Sequence, residues 1–541
     1  MLFLRRLLIY SHRYLGIAIS LMCVVWFASG IVMMYAGGMP SVSAQLRLER
    51  LPPLDLSQVH LTPLEAAERL KGEGGTPESG TPERRARGEG GAPRPELLTV
   101  LQRPAYRFQG RGAHTVFADN GEILREVDVE TARTIASRFI NVPNDRVHFE
   151  RTLDEPDQWT LNNRGGETLH KFRVDDDAGT EIYISPRTAD VSQMTTSSKR
   201  ALAWIGTIPH WLYFVSLRAS QPLWYKTVVW LSSLASVLAV LGLILGVTQF
   251  RRTRPFQWSK VVPYRGWMMR WHYILGAVFG VFALTWAFSG LMSMEPWDWT
   301  NARGLEIRRD VFSGGRMDLA RFGPMSPAAF APVLEGRTLK EVGFTRIHGE
   351  DYYTVASTDA APRPDQQRER LHQPYIVGRR GEPGRLLVSA QTMEARHEPF
   401  SVESILERLK GATRDAPIVE QTLLSDYDSY YYSRGGQSPL PVLRVKFGDP
   451  MKTWVYIDPR TSEMLSQVHR YSRIERWLYN GLHSLDFKFW YSKRPLWDIG
   501  MILLLLGGLC TSALGLYLGV KRLIRDLLPS RQPQKKAVGV T

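Results

Sequence analysis

The sequence predicts a membrane protein: a four-helix transmembrane bundle of two tandem repeats, with two α+β domains on one side of the bilayer. Three observations predict it: four long apolar runs, an internal duplication without gaps, and positive charge confined to the flanks of those runs.

The apolar runs lie at 14–35, 223–250, 273–294 and 496–520. Each is long enough to cross a bilayer, which takes about 20 helical residues. Lysine and arginine exceed acids by three before the first run (Arg5, Arg6, Arg13), by six at 251–270 and by five at 521–541. Together these flanks hold +14 of the formal +15, so the rest of the chain is close to neutral. That is the pattern of positive cytoplasmic loops, and it argues against a basic nucleic-acid-binding face. It places both termini and the 251–271 loop in the cytoplasm of a multi-pass bacterial inner membrane protein. The first run has the basic start of a secretory signal and small residues at Ser43 and Ala44. Its length and its internal copy at 273–294 mark it as a retained span.

The duplication is dense. His210, Phe214, Pro222, Leu223, Trp224, Gly242 and Gly246 recur 273 residues later as His483, Phe487, Pro495, Leu496, Trp497, Gly515 and Gly519. His12, Leu15, Gly16, Trp26, Ser29 and Gly30 recur 260 residues later as His272, Leu275, Gly276, Trp286, Ser289 and Gly290. Outside the spans, Tyr183-Ile184-Ser185-Pro186-Arg187-Thr188 recurs as Tyr456-Ile457-Asp458-Pro459-Arg460-Thr461. Each copy follows a strand-like run, at 171–174 and 443–447. Helical periodicity at 63–70, 129–139 and 402–409 completes an α+β pattern in each domain. The cluster at 426–432 reads as an aromatic strand, and Asp175-Asp176-Asp177 as a solvated hairpin turn.

The resulting plan assigns 1–35 to the cytoplasmic N-terminus and first span, and 36–203 to a first periplasmic domain with a disordered insertion at 72–95. Residues 204–250 form a periplasmic approach and the second span, 251–271 the cytoplasmic loop and 272–294 the third span. A second periplasmic domain follows at 295–476, then an approach and fourth span at 477–520, then a basic cytoplasmic tail at 521–541.

Histidines mark both faces of the bundle. His12 and His272 open spans from the cytoplasmic side, whereas His210 and His483 each lie twelve residues before a Pro-Leu-Trp entering from the periplasm. A lone interfacial histidine is ordinarily an amphipathic anchor. Four at repeat-equivalent positions point to paired ligands. A hydrocarbon core about 30 Å thick keeps His12 and His210 from sharing a metal. Pairing symmetry mates gives His12 with His272 and His210 with His483, each pair suited to the two axial positions of a haem iron. Gly16 and Gly276, one turn past their histidines, leave room for a flat macrocycle or a close helix. Met33, Met34, Met292 and Met294 keep axial methionine open. Two cysteines, Cys23 and Cys510, exclude a disulfide framework and a cysteine-held cluster. No HExxH, Walker or GxGxxG pattern occurs, so the chain shows no zinc-protease, ATP or nicotinamide site of its own.

The run His12-Arg-Tyr-Leu-Gly with Trp26 and Ser29-Gly30, repeated from His272, resembles the first-helix motif of the PepSY-associated transmembrane family. The segments ending at Thr188 and Thr461 resemble PepSY domains. The resemblance spans nearly the whole chain apart from the 72–95 insertion and the basic tail. It implies two b-type haems, held here by His12, His272, His210 and His483. It also implies a membrane oxidoreductase of the ferric-siderophore (ferrioxamine-type) reductase kind. Electrons from the quinol pool or another donor would then reach a ferric siderophore or other periplasmic acceptor. The alternative is a non-redox, membrane-anchored PepSY module that binds or regulates a periplasmic protein. This chain is longer than the typical reductase, with larger periplasmic parts.

Overall fold

The computed structural model describes residues 2–72, 95–108, 114–161, 167–250, 257–300, 304–358, 385–432 and 438–527. The insertion expected at 72–95, apart from its first and last residues, lies outside the described residues. So do 251–256 of the loop and 528–541 of the tail. The chain divides into two compact units. One comprises Met1–Ala36, Trp204–Thr300 and Ile474–Thr541; the other comprises Gly37–Ala203 and Asn301–Arg473.

The first unit holds four helices long and apolar enough to cross a membrane: Leu2–Ala36, Gln221–Thr248, Trp267–Met292 and Leu496–Leu527. The first and fourth outrun their apolar cores by a polar turn or more. Backbone hydrogen bonding continues past the hydrocarbon edge there, and Arg5, Arg6, Arg522 and Arg525 can extend to water. Helix contacts run chiefly around a ring, the first span against the fourth and second, the third against the second and fourth. The first and third spans are thus diagonal partners. Lipid offers no hydrophobic drive for helix pairing, so close packing at small residues has to supply it. The fourth span shows this directly. A Cβ added at Gly508 would collide with the Phe27 ring, and one at Gly507 with the Phe279 ring. Phe27 also meets Trp286 edge-on at 5.6 Å, in a cluster with Trp497, Met501 and Leu505.

The second unit is built on fifteen strands among the described residues. They are β1 (Pro95–Val100), β2 (Arg103–Phe108), β3 (His114–Phe117), β4 (Val147–Leu153), β5 (Leu169–Val174), β6 (Glu181–Ser185) and β7 (Asp190–Thr195). After the third span come β8 (Thr338–Ile347), β9 (Glu350–Thr358), β10 (Arg385–Ser389) and β11 (Ala395–Arg396). The last four are β12 (Ile418–Leu424), β13 (Val442–Phe447), β14 (Trp454–Asp458) and β15 (Glu463–Val468). Two four-stranded antiparallel sheets, β4–β7 and β12–β15, run in sequence order. Helix Val129–Ile140 precedes the first and helix Val402–Ala412 the second. Both sheets slip register at the same motif position, between Tyr183 and Ile184 and between Tyr456 and Ile457. Tyr183 donates to Asp157 and Tyr456 to Asp428, each at 2.9 Å.

Two features differ from the sequence expectation. The remaining strands form one seven-stranded sheet, β11-β10-β9-β8-β1-β2-β3, which draws on both sides of the membrane insertion. Glu96, Leu97 and Leu98 pair with Gly343, Val342 and Glu341. The segments planned as separate domains therefore share a core, because β1 is buried along almost its whole length and needs a partner on each edge. The 426–432 segment is a loop, not an aromatic strand. The Asp428 carboxylate accepts the Tyr430 and Tyr431 backbone N–H groups and the Arg444 guanidinium, which competes with strand pairing.

Two predictions follow from these packings. Gly508→Val should destabilise the bundle by about 1–3 kcal/mol, the usual cost of overpacking. Thermal unfolding in detergent measures it, and Phe27→Ala should recover part of the loss. In the same unit, burial and the neighbouring Glu295 carboxylate raise the Glu475 carboxyl above its ordinary 4.5. A carboxyl raised on folding holds its proton more tightly in the folded protein, so stability is full below about pH 4.5 and falls as pH rises through the raised value. Glu475→Gln should flatten the thermal midpoint against pH in that window.

Candidate functional site

His12 lies in the first span and His272 in the third, so they approach from diagonal helices. Their ring centroids are 6.3 Å apart, with the planes at 37°. His12 Nδ1 lies 3.3 Å from the Leu238 carbonyl of the second span. His272 Nδ1 lies 3.0 Å from the Thr511 carbonyl of the fourth. One helical turn beyond each carbonyl is a glycine. A Cβ at Gly242 would stand 3.0 Å from His12 Cε1, and one at Gly515 would stand 3.1 Å from His272 Cε1. Even a Cβ there would crowd the ring by a few tenths of an ångström, and a larger side chain by more.

The other pair is carried by short helices outside the spans. His210 sits in Thr207–Trp211 and His483 in Leu482–Ser484. Each helix ends on a left-handed leucine, Leu212 at φ 53° and Leu485 at φ 47°, which turns the chain back towards its span. The rings lie 6.0 Å apart by centroid, at 74°. Here the anchors are hydroxyls: Ser29 Oγ at 3.1 Å from His210 Nδ1 and Ser289 Oγ at 2.9 Å from His483 Nδ1. Both serines are buried, and each donates its own proton to a helix carbonyl, Ser29 to Val25 and Ser289 to Trp286. Trp286 Nε1 also donates to the His483 backbone carbonyl, at 2.7 Å.

A family model described as the PepSY-associated TM region matches residues 9–370, more than half of the chain. The protein belongs to the PepSY-associated TM family. The matched stretch contains His12, His210 and His272, together with most of the first span and all of the second and third. No curated protein matches the chain.

For this PepSY-TM protein the hydrogen bonds favour the same tautomer at each ring, most directly at the two carbonyl-bonded histidines. A carbonyl can only accept, so Nδ1 of His12 and His272 carries the proton. Ser29 donates to the Val25 carbonyl at 2.6 Å, which leaves it to accept from Nδ1–H of His210, and Ser289, bonded to the Trp286 carbonyl, is placed to accept from His483 in the same way. In that tautomer Nε2 holds the lone pair, and a ring whose other nitrogen donates to a fixed oxygen is the form that ligates metals. Among the described residues no three His, Cys, Asp or Glu side chains converge. Each pair offers two ligands, the number that a tetrapyrrole leaves open on its iron. The spacing fits as well. Two imidazoles at these centroid separations leave room for one metal ion between them, with metal–nitrogen bonds of about 2.0 Å.

The sequence pairing of His12 with His272 and of His210 with His483 matches the pairs that stand together. Ser29, His210's anchor, is seventeen residues beyond His12 on the first helix, about 25 Å along it at 1.5 Å per residue. Gly16 and Gly276 do not face the rings: Cβ atoms there would make ordinary contacts with Leu238 and Thr511 side chains. Met33 sulfur accepts the Thr207 hydroxyl at 3.2 Å. The sequence reading missed the Leu238 and Thr511 carbonyls. Their signal was the duplicated Gly242 and Gly515, one turn downstream.

The anchors predict a measurable state. In metal-free protein, ¹⁵N NMR of labelled histidine should show the Nδ1–H tautomer at all four positions, and Ser289→Ala should leave His483 a mixture of tautomers.

Proposed function

We propose that this protein is a transmembrane dihaem electron-transfer protein that passes single electrons outward across a bacterial inner membrane. Its donor is the quinol pool or a cytoplasmic reductant, and its favoured acceptor is a periplasmic ferric siderophore. The observation that carries the reading is the convergence of the two histidine pairs, with ring centroids 6.3 and 6.0 Å apart and each Nδ1 held by an oxygen, so that Nε2 would be the atom offered to a metal. The positive flanks support a cytoplasmic His12–His272 pair and a periplasmic His210–His483 pair.

Bound haem b supplies a one-electron ferric/ferrous couple at each pair. The chain's residues do the rest. His12 with His272, and His210 with His483, would hold the two groups. The Leu238 and Thr511 carbonyls and the Ser29 and Ser289 hydroxyls set ring direction and ligand basicity. Phe27, Trp286, Met501 and Leu505 form a buried apolar cluster in the bundle, next to the His210–His483 pair.

Purified protein, expressed with ample haem, should show Soret and α bands of low-spin b-type haem at two per chain. His483→Ala should remove the periplasmic haem and retain the cytoplasmic one, and His12→Ala should do the reverse. Absence of both bands would favour the non-redox PepSY module. Loss of both haems from either single substitution would overturn the pairing.

A further inference from the structure

Around the His210–His483 pair the two repeats differ at one telling position. His210 follows Gly206, whose φ of −114° and ψ of −86° interrupt the helix between Ile205 and Thr207. The residue 273 positions later is Tyr479. It lies inside a π-helical turn, Trp477–Gly481, closed by the Leu482 N–H on the Trp477 carbonyl. One half reaches its histidine through a break at glycine, the other through a widened turn that keeps a side chain. Single π turns of this kind recur at functional sites.

The difference places a ring. Tyr479 lies 5.4 Å by centroid from His483, tilted by 42°, in the range of an aromatic contact. It is half-buried, so part of its surface stays accessible while its ring meets the histidine. Gly206 has no side chain to offer His210. Other aromatic contacts nearby do not separate the halves. Trp477 stacks on Phe487 at 6.0 Å, and its counterpart Trp204 lies 6.4 Å from Phe214.

We propose that Tyr479 is the contact through which electrons leave the His210–His483 site for a ferric chelate, so that the outward route runs on the His483 side alone. The proposal rests on the dihaem reading above. Each transfer would carry one electron from a reduced haem held by His210 and His483 to one ferric ion of the chelate, leaving the haem ferric and the chelated ion ferrous. Tyr479 forms no bond and is itself neither oxidised nor reduced; its ring fills the gap between the imidazole and the acceptor.

The test uses full-length, haem-loaded protein in nanodiscs, reduced with dithionite and mixed with ferric citrate in a stopped-flow spectrometer. Tyr479→Leu and Tyr479→Met should slow reoxidation several-fold, and Tyr479→Phe should restore it. Low-spin EPR g values and both midpoint potentials should stay at their wild-type positions in all three. Wild-type rates in the Leu and Met variants overturn the proposal. Slowing with shifted g values or potentials also overturns it, since Tyr479 would then act by packing around His483. A wild-type protein without Soret absorption removes the dihaem reading itself and the proposal with it.

Discussion

A histidine ring packed between membrane helices has no bulk water to bond, so the oxygen that receives its Nδ1–H decides where Nε2 points. In this protein each such oxygen belongs to a different element from the histidine it holds. Leu238 of the second span receives His12 of the first, and Thr511 of the fourth receives His272 of the third. Ser29 and Ser289, on the first and third spans, receive His210 and His483 from the short helices. No ring can be aimed before its neighbour has docked. Helix packing and ligand geometry are therefore one problem, and the close approach at Gly507 and Gly508 bears on both.

The carbonyl anchors depend on a local device. In a helix the carbonyl of residue i points towards residue i+4, whose side chain would ordinarily cover it. Gly242 and Gly515 stand at those covering positions for Leu238 and Thr511. With no side chain in the way, the carbonyl's second lone pair is open to an imidazole while the first stays in the helix. The serine anchors solve the same problem otherwise. Their hydroxyls bond back to their own helix and present the oxygen outward.

Much of this was legible in the sequence, and the limits have physical causes. Apolar length and flanking charge marked the four spans, and the 273- and 260-residue offsets paired the histidines, because each signal is local or a matter of counting. The anchoring carbonyls were not legible, since every residue has one and only its surroundings single it out. Gly16 and Gly276 attracted attention by their nearness to the histidines, yet a glycine serves the ring that crosses it, and that ring comes from another helix. The loop at 426–432 looked like a strand because its tyrosines have high strand propensity. Asp428 overrode that propensity by gathering two backbone N–H groups, Arg444 and Tyr456. The seven-stranded sheet lay outside reach because pairing between strands more than two hundred residues apart leaves no mark in either one.

That shared sheet has a consequence for how the chain is made. β1 leaves the ribosome long before β8, with two spans synthesised between them. Until β8 arrives, β1 has β2 on one edge and an open row of N–H and C=O groups on the other. The β4–β7 sheet has all its strands by then and can close on its own, but the sheet that joins the two extramembrane segments cannot. The N-terminal half is thus an assembly intermediate with an exposed edge, stabilised by the arrival of its own C-terminal half. The sequence carries similar residues in two halves, and this strand pairing makes the halves inseparable.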